Sequence, residues 1–225
     1  MNVIQQVRKQ MLGYFLYTAF WAIPIFVIVY YGAYLFLDNT QQVPLHAALQ
    51  TTTIYNLILG LLTMGSAVQA YVLRGVARRD YFIGITQALF IFNATLTVFF
   101  TIWHLTHEAV TQATMLHLNG EALTLMITFF LKGCLLYFLG TTISASYYRF
   151  LHHYWWVFII FIVSGHGFVA LFDYAWGYPV SMPFSLPEIT PSLLLSVGAS
   201  IALTVISMFL TYRFATNMRV HCPHQ

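Results

Sequence analysis

Leu73-Arg74-Gly75-Val76-Ala77-Arg78-Arg79-Asp80-Tyr81-Phe82-Ile83-Gly84 is the stretch that decides how this chain folds. Four of these twelve residues are charged, in a chain of 225 residues that is only 7% charged. Long apolar runs flank it on both sides. Residues this polar do not sit in hydrocarbon, so the stretch must be a turn at a membrane boundary, open to whatever docks there. Lys and Arg in short loops are retained on the cytoplasmic side, and Arg74, Arg78 and Arg79 therefore orient the turn inward.

Working outward from the turn, six apolar segments stand out: 13–37, 50–73, 82–103, 122–147, 154–172 and 192–213. Each is near the roughly 20 residues that a helix needs to cross a bilayer. The chain is 60% hydrophobic, with a mean hydropathy of +0.75. A soluble globule carries about 25% charged residues, so there is too little polar surface here to coat one. The expected fold is all-α: a polytopic membrane protein of six transmembrane helices with both termini cytoplasmic. The first run is longer than a signal-peptide core and has no small-residue cleavage pattern after it, so it is read as a retained anchor.

The placement of charge fixes this topology better than the net charge of +3 does. Arg8, Lys9, Arg74, Arg78, Arg79, Arg149, Arg213 and Arg219 all fall on the inner side, and the outer loops hold no Lys or Arg. Asp38, Glu108, Glu121, Asp173 and Glu188 lie on the outer side or at its edge, leaving Asp80 as the inner acid. Cys134 in the fourth span and Cys222 in the tail are at different depths, which argues against a disulfide.

At the N-terminus, Val3, Ile4, Val7 and Met11 recur at helical spacing, so residues 1–12 are expected to form an amphipathic helix in the inner interface. Pro24 near the middle of the first span favours a kink. Asn56, Gly60, Gly65 and Ser66 in the second span are small or weakly polar types that let membrane helices approach closely.

Three residues are candidates for a path through the membrane. Asn93 needs a hydrogen-bond partner in the third span, which helix packing alone can supply. Lys132 lies about ten residues inside the fourth span, near the midplane at about 1.5 Å per residue. A charge there is costly and marks a functional candidate, with snorkelling or bonding to carbonyls as the plainer account. His166, between Gly165 and Gly167 in the fifth span, is more often satisfied by a neighbouring helix than catalytic.

Residues 104–121 are expected to form an outer loop. Its string His104-Leu105-Thr106-His107-Glu108 matches neither protease zinc pattern and is read as interfacial, not as a metal site. Pro179, Pro183, Pro187 and Pro191 make 173–191 a broken or re-entrant outer segment. Ser192, Ser196, Ser200 and Thr204 give the sixth span a small-residue face, for contact within the chain or across a dimer. The tail, 214–225, is too short for a metal site to be expected from His221, Cys222 and His224.

The run from Arg74 to Gly84 resembles the segment between the second and third spans of type-2 ABC transporter permeases: small, hydrophobic, Ser or Ala, Arg, basic, Asp, two aromatics, any residue, Gly. Gly140-Thr141-Thr142-Ile143-Ser144-Ala145-Ser146-Tyr147-Tyr148-Arg149-Phe150 is similar to the end of that family's fourth span. The likeness covers the six-span layout. It implies that 13–213 is a permease domain and that 74–84 is a coupling segment docking on a separate cytoplasmic ABC ATPase. The coupling residues would be Arg74, Gly75, Val76, Arg78, Arg79, Asp80, Tyr81 and Phe82, with residues 1–12 as the interface helix beside them. It further implies a second permease chain, identical or related, and ATP-driven export of an amphipathic or hydrophobic substrate such as a peptide, lipid or drug across a bacterial plasma membrane. ATP and Mg would be bound by the partner, since this chain has no G-x-x-x-x-G-K-[ST] loop, and no cofactor or nucleic acid is expected on it.

Two other classes compete. An ion-coupled carrier or channel usually needs acidic groups inside the bilayer, and all the acids here lie in loops or at boundaries. A membrane enzyme or haem protein needs paired histidines or a nucleophile at one depth, and His166 stands alone well inside.

Overall fold

The structure, a computed structural model, describes residues 2–36, 44–112, 120–150, 155–177 and 192–216. Every described element is helical. In chain order these are α1 (Val3–Phe36), α2 (Pro44–Leu62), a single π-helical stretch (Thr63–Ala67), α3 (Val68–Leu73), α4 (Arg78–Gln112), α5 (Gly120–Phe150), α6 (Trp155–Ala175) and α7 (Leu193–Thr216). Among the described residues, four helical segments are long and apolar enough to cross a membrane: Thr52–Leu73, Arg78–Trp103, Leu123–Phe150 and Leu193–Thr216. Ile159–Ala175 is a shorter apolar helix.

Several boundaries differ from the hydropathy reading. α1 runs without interruption across the expected division between residues 12 and 13, and through Pro24. α4 continues past Trp103 to Gln112, so the first half of the expected outer loop 104–121 is helix. At about 1.5 Å per residue its 35 residues exceed the ~30 Å hydrocarbon thickness, and polar residues continue the helix beyond the apolar ones. α6 ends at Ala175 in a turn where Gly177 takes a left-handed φ of +72°. Residues 178–191 of the segment expected to be broken at 173–191 lie outside the described residues, as do 37–43 and 217–225; the first three residues of the tail expected at 214–225 belong to α7.

The chain divides into two compact units, Met1–Asn56 with Gly84–Cys134, and Leu57–Ile83 with Leu135–Gln225. In the first, α1 buries Val7, Met11, Phe15 and Ala19, one residue per turn. Ile4 and Val7 sit against Gly84 of α4, where a Cβ would come within 2.8 Å of the Val7 Cγ1. The apolar face at the start of α1 is thus spent partly on the chain's own α4. Further along, the Phe15 ring meets Phe92 at 5.6 Å, and the Tyr55 hydroxyl donates to the Phe15 carbonyl at 3.1 Å.

In the second unit the tightest approach is a glycine crossing. A Cβ on Gly60 would overlap the Tyr137 carbonyl, and one on Gly140 would overlap the Leu57 carbonyl. Only hydrogen at both positions lets α2 and α5 cross backbone on backbone, the small-residue device of membrane helices. α7 lays its buried face, Ser196, Ser200, Thr204, Ser207, Thr211 and Ala215, inward. The Ser196 hydroxyl donates to the Ala175 carbonyl, the Trp176 Nε1–H donates to Ser200 Oγ at 2.8 Å, and Thr211 shares hydrogen bonds with Thr141 and Thr142 at 3.0 and 2.8 Å. The small-residue face is therefore satisfied within one chain.

Candidate functional site

The basic stretch is a tight turn that leads into a long helix. α3 ends at Leu73, and Arg74 and Gly75 bend the chain, with Gly75 at φ +83°, a conformation that costs a residue with a Cβ. Backbone bonds from Arg74 N–H to the Tyr71 carbonyl (3.1 Å), Gly75 N–H to Val72 (2.9 Å) and Val76 N–H to Tyr71 (3.1 Å) close the turn and satisfy the last carbonyls of α3. α4 begins at Arg78, so Arg78 to Gly84 form its first turns. Asp80 in the first turn is favourable to the helix dipole.

The eight residues singled out in this stretch divide by burial. Arg74, Gly75 and Arg79 are exposed, Val76, Arg78 and Asp80 are half-buried, and Tyr81 and Phe82 are buried. Tyr81 donates its hydroxyl hydrogen to the Thr63 carbonyl at 2.7 Å, in the π-helical stretch. The Thr63 hydroxyl is bonded in turn to the Tyr137 hydroxyl of α5 at 2.9 Å. Phe82 packs its ring on Tyr212 of α7 at 5.3 Å, and Arg78 donates from Nη1 to the Thr216 carbonyl at 3.0 Å. That carbonyl belongs to the last turn of α7, whose acceptors have no partner within the helix.

Two classes of residue are therefore interleaved in one motif. Tyr81, Phe82 and Arg78 face inward and fasten the turn to the π-helical stretch and α7, and the hydroxyl of Thr63 links that stretch to α5. Arg74 and Arg79 stand exposed. Comparison with protein-family models, with curated proteins and with solved structures returns no match.

The three path candidates are not brought into one site by any described contact. Asn93 is buried in the first unit, where its Nδ2 donates to Cys134 Sγ at 3.6 Å. Gly133 makes room for it: a Cβ there would come within 2.9 Å of Asn93 Oδ1 and 3.1 Å of Asn56 Nδ2. Lys132 is the next residue on α5 and half-buried. Consecutive helix positions point about 100° apart, so the Gly133 contact does not carry Lys132 to Asn93. His166, in the second unit, is exposed on α6.

Sequence reasoning missed Thr63, Tyr137 and Asn56. Thr63 and Tyr137 are ordinary in sequence, and only the fold brings their hydroxyls together. Asn56, by sequence one of several weakly polar residues in its span, is buried with Oδ1 lacking a partner while Nδ2 donates to the Thr52 carbonyl at 3.2 Å.

Proposed function

We propose that this chain is the membrane-spanning subunit of an ATP-driven exporter. In this reading it has six transmembrane spans and cytoplasmic termini, and is worked through the turn at 74–80 by a separate cytoplasmic ATPase. A second permease chain completes the path for an amphipathic or hydrophobic substrate. The chain itself does not hydrolyse ATP, and nucleotide and Mg belong to the partner.

The observation that carries this reading is the division of labour within one short motif. Exposed Arg74 and Arg79 offer charge to a partner, while Tyr81, Phe82 and Arg78, within the next few residues, tie the same segment to the π-helical stretch and α7. A push on the turn is delivered to these two elements directly, and to α5 through the Thr63 and Tyr137 hydroxyls. The π-helical stretch that receives Tyr81 is the kind of irregularity often found at functional sites in membrane helices. Nucleotide states of the partner can move the domain only as far as they stabilise different arrangements of it.

The test separates the two classes of residue. Replacing Arg74 and Arg79 together with Ala is expected to leave expression and detergent-solution stability intact while abolishing ATPase co-purification or transport-coupled hydrolysis. Arg78 and Asp80 are left out because their loss would also weaken the ends of α7 and α4. Retention of a normally coupled ATPase by the double variant defeats the reading.

A further inference from the structure

We propose that the exposed face of α6 around His166 is the surface on which a second copy of this chain docks, with the two His166 side chains hydrogen-bonded to each other beside a twofold axis. The inference rests on the reading of α6 as a membrane span, and it names the face that the second permease chain meets. α6 has 21 residues, roughly 30 Å at about 1.5 Å per residue, which is about the thickness of the hydrocarbon layer. His166 stands at its middle, with Trp155 and Trp156 at one end and Asp173 and Trp176 at the other. Val163 is 66% exposed and Ile159 46%, so Ile159, Val163 and His166 form one outward stripe at helical spacing. A Cβ on the neighbouring Gly167 would meet nothing within 4 Å, which leaves the surface beside the imidazole open to close approach by another helix.

Among the described residues nothing hydrogen-bonds the His166 side chain. Other exposed polar side chains within helices are spent inside the chain: the Thr95 hydroxyl donates to the Ile91 carbonyl at 2.9 Å, and Gln87 accepts from Arg8 at 3.5 Å. From mid-helix an imidazole cannot reach water either, because it sits on a single methylene and lacks the long stem by which Lys and Arg snorkel. Ionisable side chains within membrane spans accordingly face a bundle interior or a cavity and pair with one another. His166 therefore needs a cover that brings a polar group to the middle of α6.

A second α6 supplies that group by symmetry. A neutral imidazole carries one N–H donor and one ring-nitrogen acceptor, so two copies complement each other. A twofold contact places the same patch of each copy against the other, and an antiparallel or parallel crossing at mid-helix brings His166 to His166. The exposed face of α7 offers an imidazole nothing: Ile201, Val205, Ile206 and Phe209 are apolar, and its hydroxyls are turned inward. Acyl chains offer nothing either.

The test uses the full chain expressed alone in membranes, with Cys222→Ser to remove the tail thiol and Val163→Cys as reporter. Oxidation with copper phenanthroline is expected to link this variant into a dimer, and to leave Val205→Cys, on the exposed face of α7, as monomer. In the reporter chain His166→Leu should weaken association about three- to tenfold, as for the loss of one interhelical hydrogen bond, read from cross-linking yield as the chain is diluted in lipid. His166→Gln keeps a donor and an acceptor and should restore most of that loss. Adding Arg74→Ala and Arg79→Ala should leave the cross-link unchanged, so that loss of ATPase coupling and loss of the dimer are separate results. A leucine variant that associates as well as the reporter chain would place the imidazole in lipid and overturn the proposal. So would a glutamine variant as weak as the leucine one, or cross-linking at Val205 instead of Val163, at both equally, or at neither.

Discussion

At the residue scale, Tyr81 shows how a motif residue can do two jobs at once. Its place in the sequence, directly after Arg78-Arg79-Asp80, reads as part of a docking surface. Its side chain is instead wholly buried, with the hydroxyl on the Thr63 carbonyl and the ring 5.1 Å from Tyr71. Removing only the hydroxyl, in Tyr81→Phe, keeps the ring contact and deletes one buried hydrogen bond, a loss of ~1 kcal/mol. The expected result is a lower apparent unfolding temperature in detergent, measured by scattering or by fluorescence-detected size exclusion. Arg79→Ala, two residues earlier and exposed, should leave that temperature unchanged. If both substitutions lower it equally, the inward and outward assignments are wrong. Arg78→Ala should fall between them, because it opens the Thr216 carbonyl to water without creating a cavity.

At the element scale, the helical character of the chain was legible in the sequence, and the ends of the helices were not. Apolar runs report where hydrocarbon would be, and a helix does not stop where hydrocarbon does. Hence α4 continues through His104 to Gln112 and α1 begins at Val3, because nothing in those stretches breaks a helix. The basic turn was legible for the opposite reason, since charge and glycine both punctuate there. The partition of Tyr81 and Phe82 from Arg79 was not, because burial depends on which helices arrive alongside. Gly60 likewise read as a small residue permitting close approach, but its partner, Gly140, could be known only from the crossing. Gly140→Ala is expected to push α5 off α2, since the new methyl group meets backbone that cannot rotate away. Overpacking of this kind costs about 1 to 3 kcal/mol. Gly167→Ala in α6 is the control: a Cβ there meets nothing within 4 Å, and Ala is the better helix former. A stable Gly140→Ala protein would show that the crossing is looser than its backbone contact requires.

At the scale of the whole molecule, hydroxyl and amide side chains share the core with apolar ones such as Phe15, Phe92 and Leu135, while large apolar side chains stand exposed. Buried positions include Thr52, Asn56, Thr63, Asn93, Thr97, Thr141, Thr142, Ser196, Ser200, Ser207 and Thr211, while Leu194 is 88% exposed, Phe20 71% and Ile28 69%. Hydrophobic burial cannot drive helix association when the outside is as apolar as the inside, so hydroxyls bonded to backbone and small-residue packing must do it. That makes added hydrophobicity harmful on one face of a helix and harmless on the other. On α7, Ser200→Leu replaces a buried hydroxyl that accepts from Trp176 Nε1–H and donates to the Ser196 carbonyl at 2.7 Å, in a gap sized for serine. Val205→Leu changes a residue that is 57% exposed. Both substitutions raise or preserve the hydropathy of α7, and membrane insertion should be unimpaired in both. Only Ser200→Leu should lower detergent-solution stability, through overpacking and the orphaned indole N–H, together about 2 to 4 kcal/mol. The check is to measure membrane-fraction yield and unfolding temperature side by side. A water-folded protein would respond in the other direction, with the exposed leucine promoting aggregation and a chain extractable from membranes by alkaline carbonate without detergent.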